Sequence, residues 1–189
     1  IGAMPQEVAL LKSRLSNLSE EKVAGLDIFK GDMHGKTVIL CQCGMGKVAR
    51  GAATQLMITK YGIEAIVFSG IAGNMTDKIG VGDVCLSKEV VYHDAEITMI
   101  DQHYPYLDSY KGDENLIKAA GRACEETNTK YIVGKIATGD KFVGDTRTKN
   151  AIKASCDPDC VEMEGAAIAH IACKNDIPFL IIRAMSDNA

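Results

Sequence analysis

The sequence has no basic excess. Its 21 lysines and arginines face 25 aspartates and glutamates, a net charge of −4 with histidine neutral. Nucleic acid is therefore not expected as a partner, because phosphate binding needs a basic face. Long apolar runs are missing as well. None approaches the roughly 20 residues of a membrane-spanning helix, so a soluble, cytoplasmic protein with no membrane partner is expected. Metal-type spacing of cysteine and histidine is also lacking. The 7 cysteines, at 41, 43, 85, 124, 156, 160 and 173, are odd in number and scattered through apolar segments. Reduced thiols and no metal site follow from that pattern. There are no repeats, low-complexity tracts or linkers. At 189 residues the chain suits one α/β domain, so residues 1–189 are expected to form a single domain.

What is present is a globular composition, 47% hydrophobic and 24% charged, which excludes disorder. Pro5 suits the first turn of a helix with an apolar stripe of Val8, Leu11 and Leu15. Residues 23–43 predict a β-hairpin around the turn His34-Gly35. "GMGK" leads into a helix ending at Gly62, and "EAIVFSGIAG" is a buried strand running into a glycine turn. "VGDVCLSKEVVYHD" contains a strand, and residues 96–112 an irregular loop. A helix over Glu114–Thr127, a strand in "KYIVGKIATGD" and a short helix over Arg147–Ala154 follow. The next helix is expected to open with Glu162-Met163-Glu164 and end near Asn175, before a core strand in "IPFLIIRAMSD". Strands alternating with helices predict a three-layer α/β/α fold with a central mixed β-sheet. "IGAMPQEV" reads as a strand entered partway, and "RAMSDNA" stops where a loop is expected. The strand's beginning and a C-terminal helix are thus expected to lie outside this sequence.

Open α/β sheets bind ligands beyond the carboxyl ends of their strands. The groups expected there are Met4 and Glu7, the glycines of "CGMGK", Ala72 and Gly73, then Asp140, Phe142 and Val143, and finally Arg183, Ser186 and Asp187, with the "EME" turn beside them. Carboxylates, one guanidinium, glycine amides and apolar side chains suit a flat apolar ligand bearing a few hydroxyls, and acid–base rather than covalent chemistry. "CGMGKVA" matches neither G-x-G-x-x-G nor G-x-x-x-x-G-K-[ST], so it is read as a turn or a close backbone approach rather than a phosphate cradle.

Seven motifs, "IGAMPQEV", "CGMGKV", "GIAG", "VGDV…YHDAE", "TGDKFV", "VEMEGAAIAH" and "IIRAMSD", run in an order that resembles the 5′-methylthioadenosine/S-adenosylhomocysteine nucleosidases of the nucleoside phosphorylase superfamily. The resemblance spans the chain. It implies hydrolysis of the N-glycosidic bond between adenine and a 5′-thio-substituted ribose, a small-molecule nucleoside substrate, no cofactor, and a homodimer. It further implies that Glu7 activates water, Asp187 protonates adenine N7, and Arg183 and Ser186 support the site. Glu164 would bind the ribose hydroxyls, Met163 would pack beside ribose and base, Phe142 would stack on adenine, and the Val143 backbone would read its edge. Met4, Ala72 and Gly73 would line the site, and Glu162 would be an ordinary helix cap. Ile71 stands where the family usually carries Ser or Thr. The chemistry asks for such groups: a leaving base needs an acid, water on the opposite face needs a base, and one carboxylate can accept from two vicinal hydroxyls. A nucleoside phosphorylase, a futalosine hydrolase or another nucleosidase, and a silent nucleoside-binding protein are the alternatives.

Overall fold

The computed structural model describes residues 5–42 and 44–189, and side chains from residue 8 onward. Met4 and the side chain of Glu7 lie outside the described residues. Helix α1 (Pro5–Ser13) precedes a three-stranded antiparallel sheet of β1 (Ser16–Val23), β2 (Leu26–Met33) and β3 (Lys36–Gln42). The expected hairpin is β2–β3, turning at His34-Gly35. Strand β1 extends it by one strand that the sequence pattern did not reveal. Its residues, "SNLSEEKV", are exposed along nearly their whole length, so no apolar alternation marks them as strand. Leu15 falls beyond the end of α1, which leaves the expected stripe without its last member.

Helix α2 (Lys47–Tyr61) ends at Gly62, whose left-handed backbone (φ 58°) closes it as expected. Then come β4 (Ile66–Asn74), β5 (Val84–Tyr92), the single turn α3 (Ile97–Ile100), β6 (Tyr110–Lys111), α4 (Glu114–Glu126), β7 (Tyr131–Thr138), α5 (Thr146–Cys156), β8 (Cys160–Glu162), α6 (Gly165–Lys174) and β9 (Phe179–Asp187). The larger sheet runs β6-β5-β7-β8-β4-β9, and β5 also pairs with β9, so five strands close a ring. Pairs β4–β9, β5–β7 and β7–β8 are parallel, while β4–β8, β5–β6 and β5–β9 are antiparallel. This is the expected mixed-sheet α/β fold.

Strand alternation sorts the core onto two faces. In register across β5, β7 and β8 stand Val90, Ile136 and Cys160, which pack toward Ile168 and the alanines of α6. The next row, Val91, Ala137 and Val161, points the other way, toward Ile152 of α5. The third row, Tyr92, Thr138 and Glu162, returns to the α6 side at the carboxyl ends of the strands. Here the fold places its polar groups.

Candidate active site

The triplet Glu162-Met163-Glu164 does not open a helix. Glu162 is the last residue of β8, and α6 begins at Gly165 with Glu164 as its N-cap residue. The reason lies in the third row of side chains. Thr138, on the neighbouring strand β7, donates its hydroxyl to Glu162, and the Glu162 carboxylate then accepts the amides of Glu164 (3.1 Å) and Gly165 (2.7 and 2.9 Å). The Ala166 amide donates to Thr138 Oγ1 at 2.8 Å. A strand-end carboxylate and hydroxyl thus satisfy the first free N–H groups of α6. Glu162 does cap, but it is not an ordinary surface cap. It is buried and paired with the guanidinium of Arg183, which is itself only 1% exposed. The Arg183 guanidinium also lies over the Phe68 ring, 4.0 Å from its centroid. Thr138 is the residue that the sequence reading missed, and for Glu162 it gives only an ordinary cap, without the pairing to Arg183. The detectable signal was the strand-end position of Thr138, two residues before Asp140; the β7–β8 register was needed to use it.

With the helix capped by Glu162, the Glu164 side chain is free to reach elsewhere. Its carboxylate accepts the Gly46 amide at 3.0 Å and lies 3.4 Å from Arg183 Nη2. Gly46 makes this possible through φ 92°, ψ 160°, a conformation essentially confined to glycine. Two carboxylates share the Arg183 guanidinium, and the buried Arg50 guanidinium packs on the same Phe68 ring, 4.8 Å from its centroid.

Asp187 arrives from β9. The parallel β4–β9 ladder pairs Ala72 with Met185 and then Gly73 with Asp187, so Ser186 is an extra residue in a bulge. Bulges beside active sites re-aim side chains, and this one sets Asp187 across from Gly73. A Cβ on Gly73 would come within 3.2 Å of Asp187 Oδ1 and 2.8 Å of Ala189 Cβ, so glycine keeps the two strands' ends together. Ser186 Oγ donates to Asp187 Oδ2 at 2.7 Å and lies 3.3 Å from the Ala72 carbonyl oxygen. The Ala189 amide donates to Asp187 Oδ1 at 2.7 Å.

Between Glu162 and Asp187 lies a small cleft, about 30 Å³, lined also by Gly73, Lys141, Phe142, Val143, Val161 and Met163. Val143 is buried, whereas the Phe142 ring is 78% exposed. Of the expected site residues, the structure therefore gathers Gly73, Phe142, Val143, Met163 and Asp187 on one cleft. Ser186 meets both Asp187 and the Ala72 carbonyl, while Glu164 and Arg183 lie outside the cleft lining, joined to its Glu162 through the guanidinium. A larger cavity, about 680 Å³, is lined by Tyr104, Leu107, Cys173, Ile177 and Phe179 and contains none of these residues. Among the described residues no group of three or more His, Cys, Asp or Glu side chains could hold a metal ion.

The profile of the phosphorylase superfamily matches residues 1–189. A 5′-methylthioadenosine/S-adenosylhomocysteine nucleosidase of Shewanella sediminis is 39% identical over 195 residues, covering 100% of this chain and 85% of that protein. The crystal structure of such a nucleosidase from Colwellia psychrerythraea 34H, in complex with adenine, is 34% identical with a TM-score of 0.93, over 100% of this chain and 81% of that one. That of Neisseria meningitidis, in complex with methylthio-immucillin-A, is 32% identical with a TM-score of 0.93, over 99% of this chain and 84% of that one. A futalosine hydrolase of Helicobacter pylori is also similar, at 29% identity and a TM-score of 0.90, over 99% of this chain and 82% of that one. The chain belongs to the phosphorylase superfamily and, within it, to the family of 5′-methylthioadenosine/S-adenosylhomocysteine nucleosidases.

Proposed function

We propose that this protein hydrolyses the N-glycosidic bond of 5′-methylthioadenosine and S-adenosylhomocysteine, releasing adenine and the 5′-thio-substituted ribose. The observation that carries this reading is the convergence of Phe142, Met163 and Asp187 on one cleft whose Glu162 shares the Arg183 guanidinium with Glu164. Phe142 offers an exposed ring for adenine to stack on, and the Val143 backbone reads the edge of the base. The Glu164 carboxylate accepts from the ribose hydroxyls while Arg183 and the Gly46 amide hold it in place. Met163 packs beside ribose and base. As the bond from C1′ to N9 lengthens, positive charge grows on the sugar and negative charge on adenine. The Glu164 carboxylate on the ribose hydroxyls favours the first, and a proton from Asp187 to N7 relieves the second. Water then adds to C1′ and gives its proton to Glu7, a role that rests on the sequence resemblance.

Ser186 holds Asp187, and Ala72 and Gly73 let it approach; Met4 belongs to the same site by resemblance. Phosphate would be repelled by a carboxylate at the position of Glu7, which favours water over phosphorolysis. A homodimer belongs to the same reading, because Met99, Tyr104, Tyr106 and Leu107 stand exposed on one segment after β5. No helix among the described residues is long and apolar enough to cross a membrane. The test is adenine release from methylthioadenosine in phosphate-free buffer. Release at a rate unchanged by added phosphate supports the proposal, and release that needs phosphate makes the protein a phosphorylase. A futalosine hydrolase would cleave futalosine in preference to methylthioadenosine in the same assay.

A further inference from the structure

Three turns that build the site are joined by one ammonium group. Lys47 Nζ lies 2.7 Å from Asp94 Oδ1 and 3.1 Å from Asp140 Oδ2. The other oxygen of Asp94 accepts the Asp140 amide at 2.7 Å, and the Lys47 amide itself lies 3.5 Å from Asp140 Oδ1. Lys47 opens α2, Asp94 follows β5 and Asp140 follows β7, so residues remote in sequence meet at the strand ends. The lysine and Asp94 side chains are 19% and 27% exposed, whereas Asp140 stands at the surface at 57%. Tyr92, whose ring lies 5.5 Å from Lys47 Nζ, covers the ammonium. The pairing is tight enough to be a fixture. Behind it, His93 packs on Gly139 so closely that any Cβ there would collide with the imidazole.

The consequence concerns the neighbouring residue. Gly46 presents its amide to Glu164 from a backbone conformation that glycine adopts freely and leaves freely. The Gly46 carbonyl accepts the Arg50 amide at 3.2 Å, which ties the residue to α2 and leaves its N–H to be directed by the turn around it. The residue after it is fixed, by the ammonium at one end and by its own amide at the other. We propose that Lys47, anchored by Asp94 and Asp140, is a positioning residue that holds the Gly46 amide on Glu164 and so orients the ribose-binding carboxylate. The ribose role of Glu164 rests on the nucleosidase reading, whereas the holding of Gly46 does not.

Burial alone would lower the Lys47 pKa, but the hydrogen bonds it donates to Asp94 and Asp140 outweigh it and the ammonium is favoured. Burial alone would raise the Asp94 pKa, but Lys47 and the Asp140 amide hold it below the usual carboxylate range. Removing Lys47 leaves the Asp140 amide on Asp94, so the segment carrying Phe142 and Val143 retains that anchor.

The test uses Lys47→Met, Lys47→Arg, Glu164→Ala and the double variant Lys47→Met/Glu164→Ala. Calorimetry gives their affinities for a non-hydrolysable 5′-methylthio C-nucleoside of adenine and for free adenine. Amide exchange of Gly46 is followed by NMR, with thermal melting as the control for folding. Lys47→Met should weaken the C-nucleoside about tenfold and free adenine less than about threefold, the first equal to ~1.4 kcal/mol. In the double variant the C-nucleoside should bind within about twofold of Glu164→Ala alone, because both changes act through one contact. Exchange at Gly46 should quicken about tenfold in Lys47→Met, and Lys47→Arg should restore most of both effects. Losses that multiply in the double variant, or equal weakening of adenine and C-nucleoside, overturn the proposal. Gly46 exchange unaltered by Lys47→Met also overturns it. If wild-type protein binds no nucleoside while Gly46 exchange still depends on Lys47, the nucleosidase reading falls and the positioning of Gly46 stands.

Discussion

Glu162 and Glu164 are separated by one residue and do opposite work. Glu162 spends its carboxylate on the amides of Glu164 and Gly165, on Thr138 and on Arg183, and is left with nothing to offer a ligand. Glu164 meets one amide and the edge of a guanidinium, which leaves it acceptor capacity. Their substitutions should therefore separate. Glu162→Gln removes the charge that pairs with a buried guanidinium, and breaking a buried ion pair costs about 3–5 kcal/mol. A denaturation midpoint lowered by less than about 1 kcal/mol equivalent would show that the pair is not structural. Glu164→Ala should weaken ribose-bearing ligands by about 1.5–3 kcal/mol, the worth of a charge-assisted hydrogen bond, while hardly altering the affinity for free adenine. Equal losses for adenine and nucleoside would remove Glu164 from the ribose.

At the scale of elements, the site depends on where strands stop and which neighbour they stop beside. The β7–β8 register delivers Thr138 and Glu162 to the start of α6, and the β9 bulge delivers Asp187 to Gly73. Helix α6 carries a second consequence. His170 stacks on Tyr110 at 5.0 Å and 20° and meets the edge of Tyr92 at 6.3 Å. Burial, and then the nearby Lys174, push its pKa below the ordinary value, and burial does the same to His93. The neutral ring is thus favoured in the fold, while the unfolded chain takes up a proton near pH ~6.5. As pH falls through that value toward the lower folded one, the unfolded state binds more protons and stability drops. Asp94, held low by Lys47, remains ionised across this window and adds no slope. The melting temperature should fall between about pH 7.5 and 5.5, and His170→Phe should reduce the fall. An identical fall in the variant would place the titration elsewhere.

Across the whole molecule, the motifs legible in the sequence are those that sit at strand ends with unusual chemistry: "GIAG", "TGDKFV" and "IIRAMSD" all came to one cleft. What stayed hidden needed register or long-range pairing. "EME" carries no mark that tells a strand end from a helix start, because the deciding partner, Thr138, is 24 residues earlier. Lys47, Asp94 and Asp140 look like separate surface charges until the fold joins them. Strand β1 hid because it has no buried face. The exposed apolar side chains of Met99, Tyr104, Tyr106 and Leu107 belong to this scale too. Light scattering should give a dimer at micromolar concentration, and a fully active monomer would contradict the proposed assembly.

The central claim is that adenine leaves as its N7 accepts a proton from Asp187. Asparagine is nearly isosteric with aspartate and has no acidic proton to give. General acid catalysis is commonly worth about 10²–10⁴-fold. The measurement is the turnover of Asp187→Asn relative to wild type on two substrates, methylthioadenosine and a nitrophenyl riboside whose leaving group departs without protonation. Asp187→Asn should lose about 10²-fold or more on the nucleoside and much less on the nitrophenyl riboside. Equal losses on both would contradict the claim.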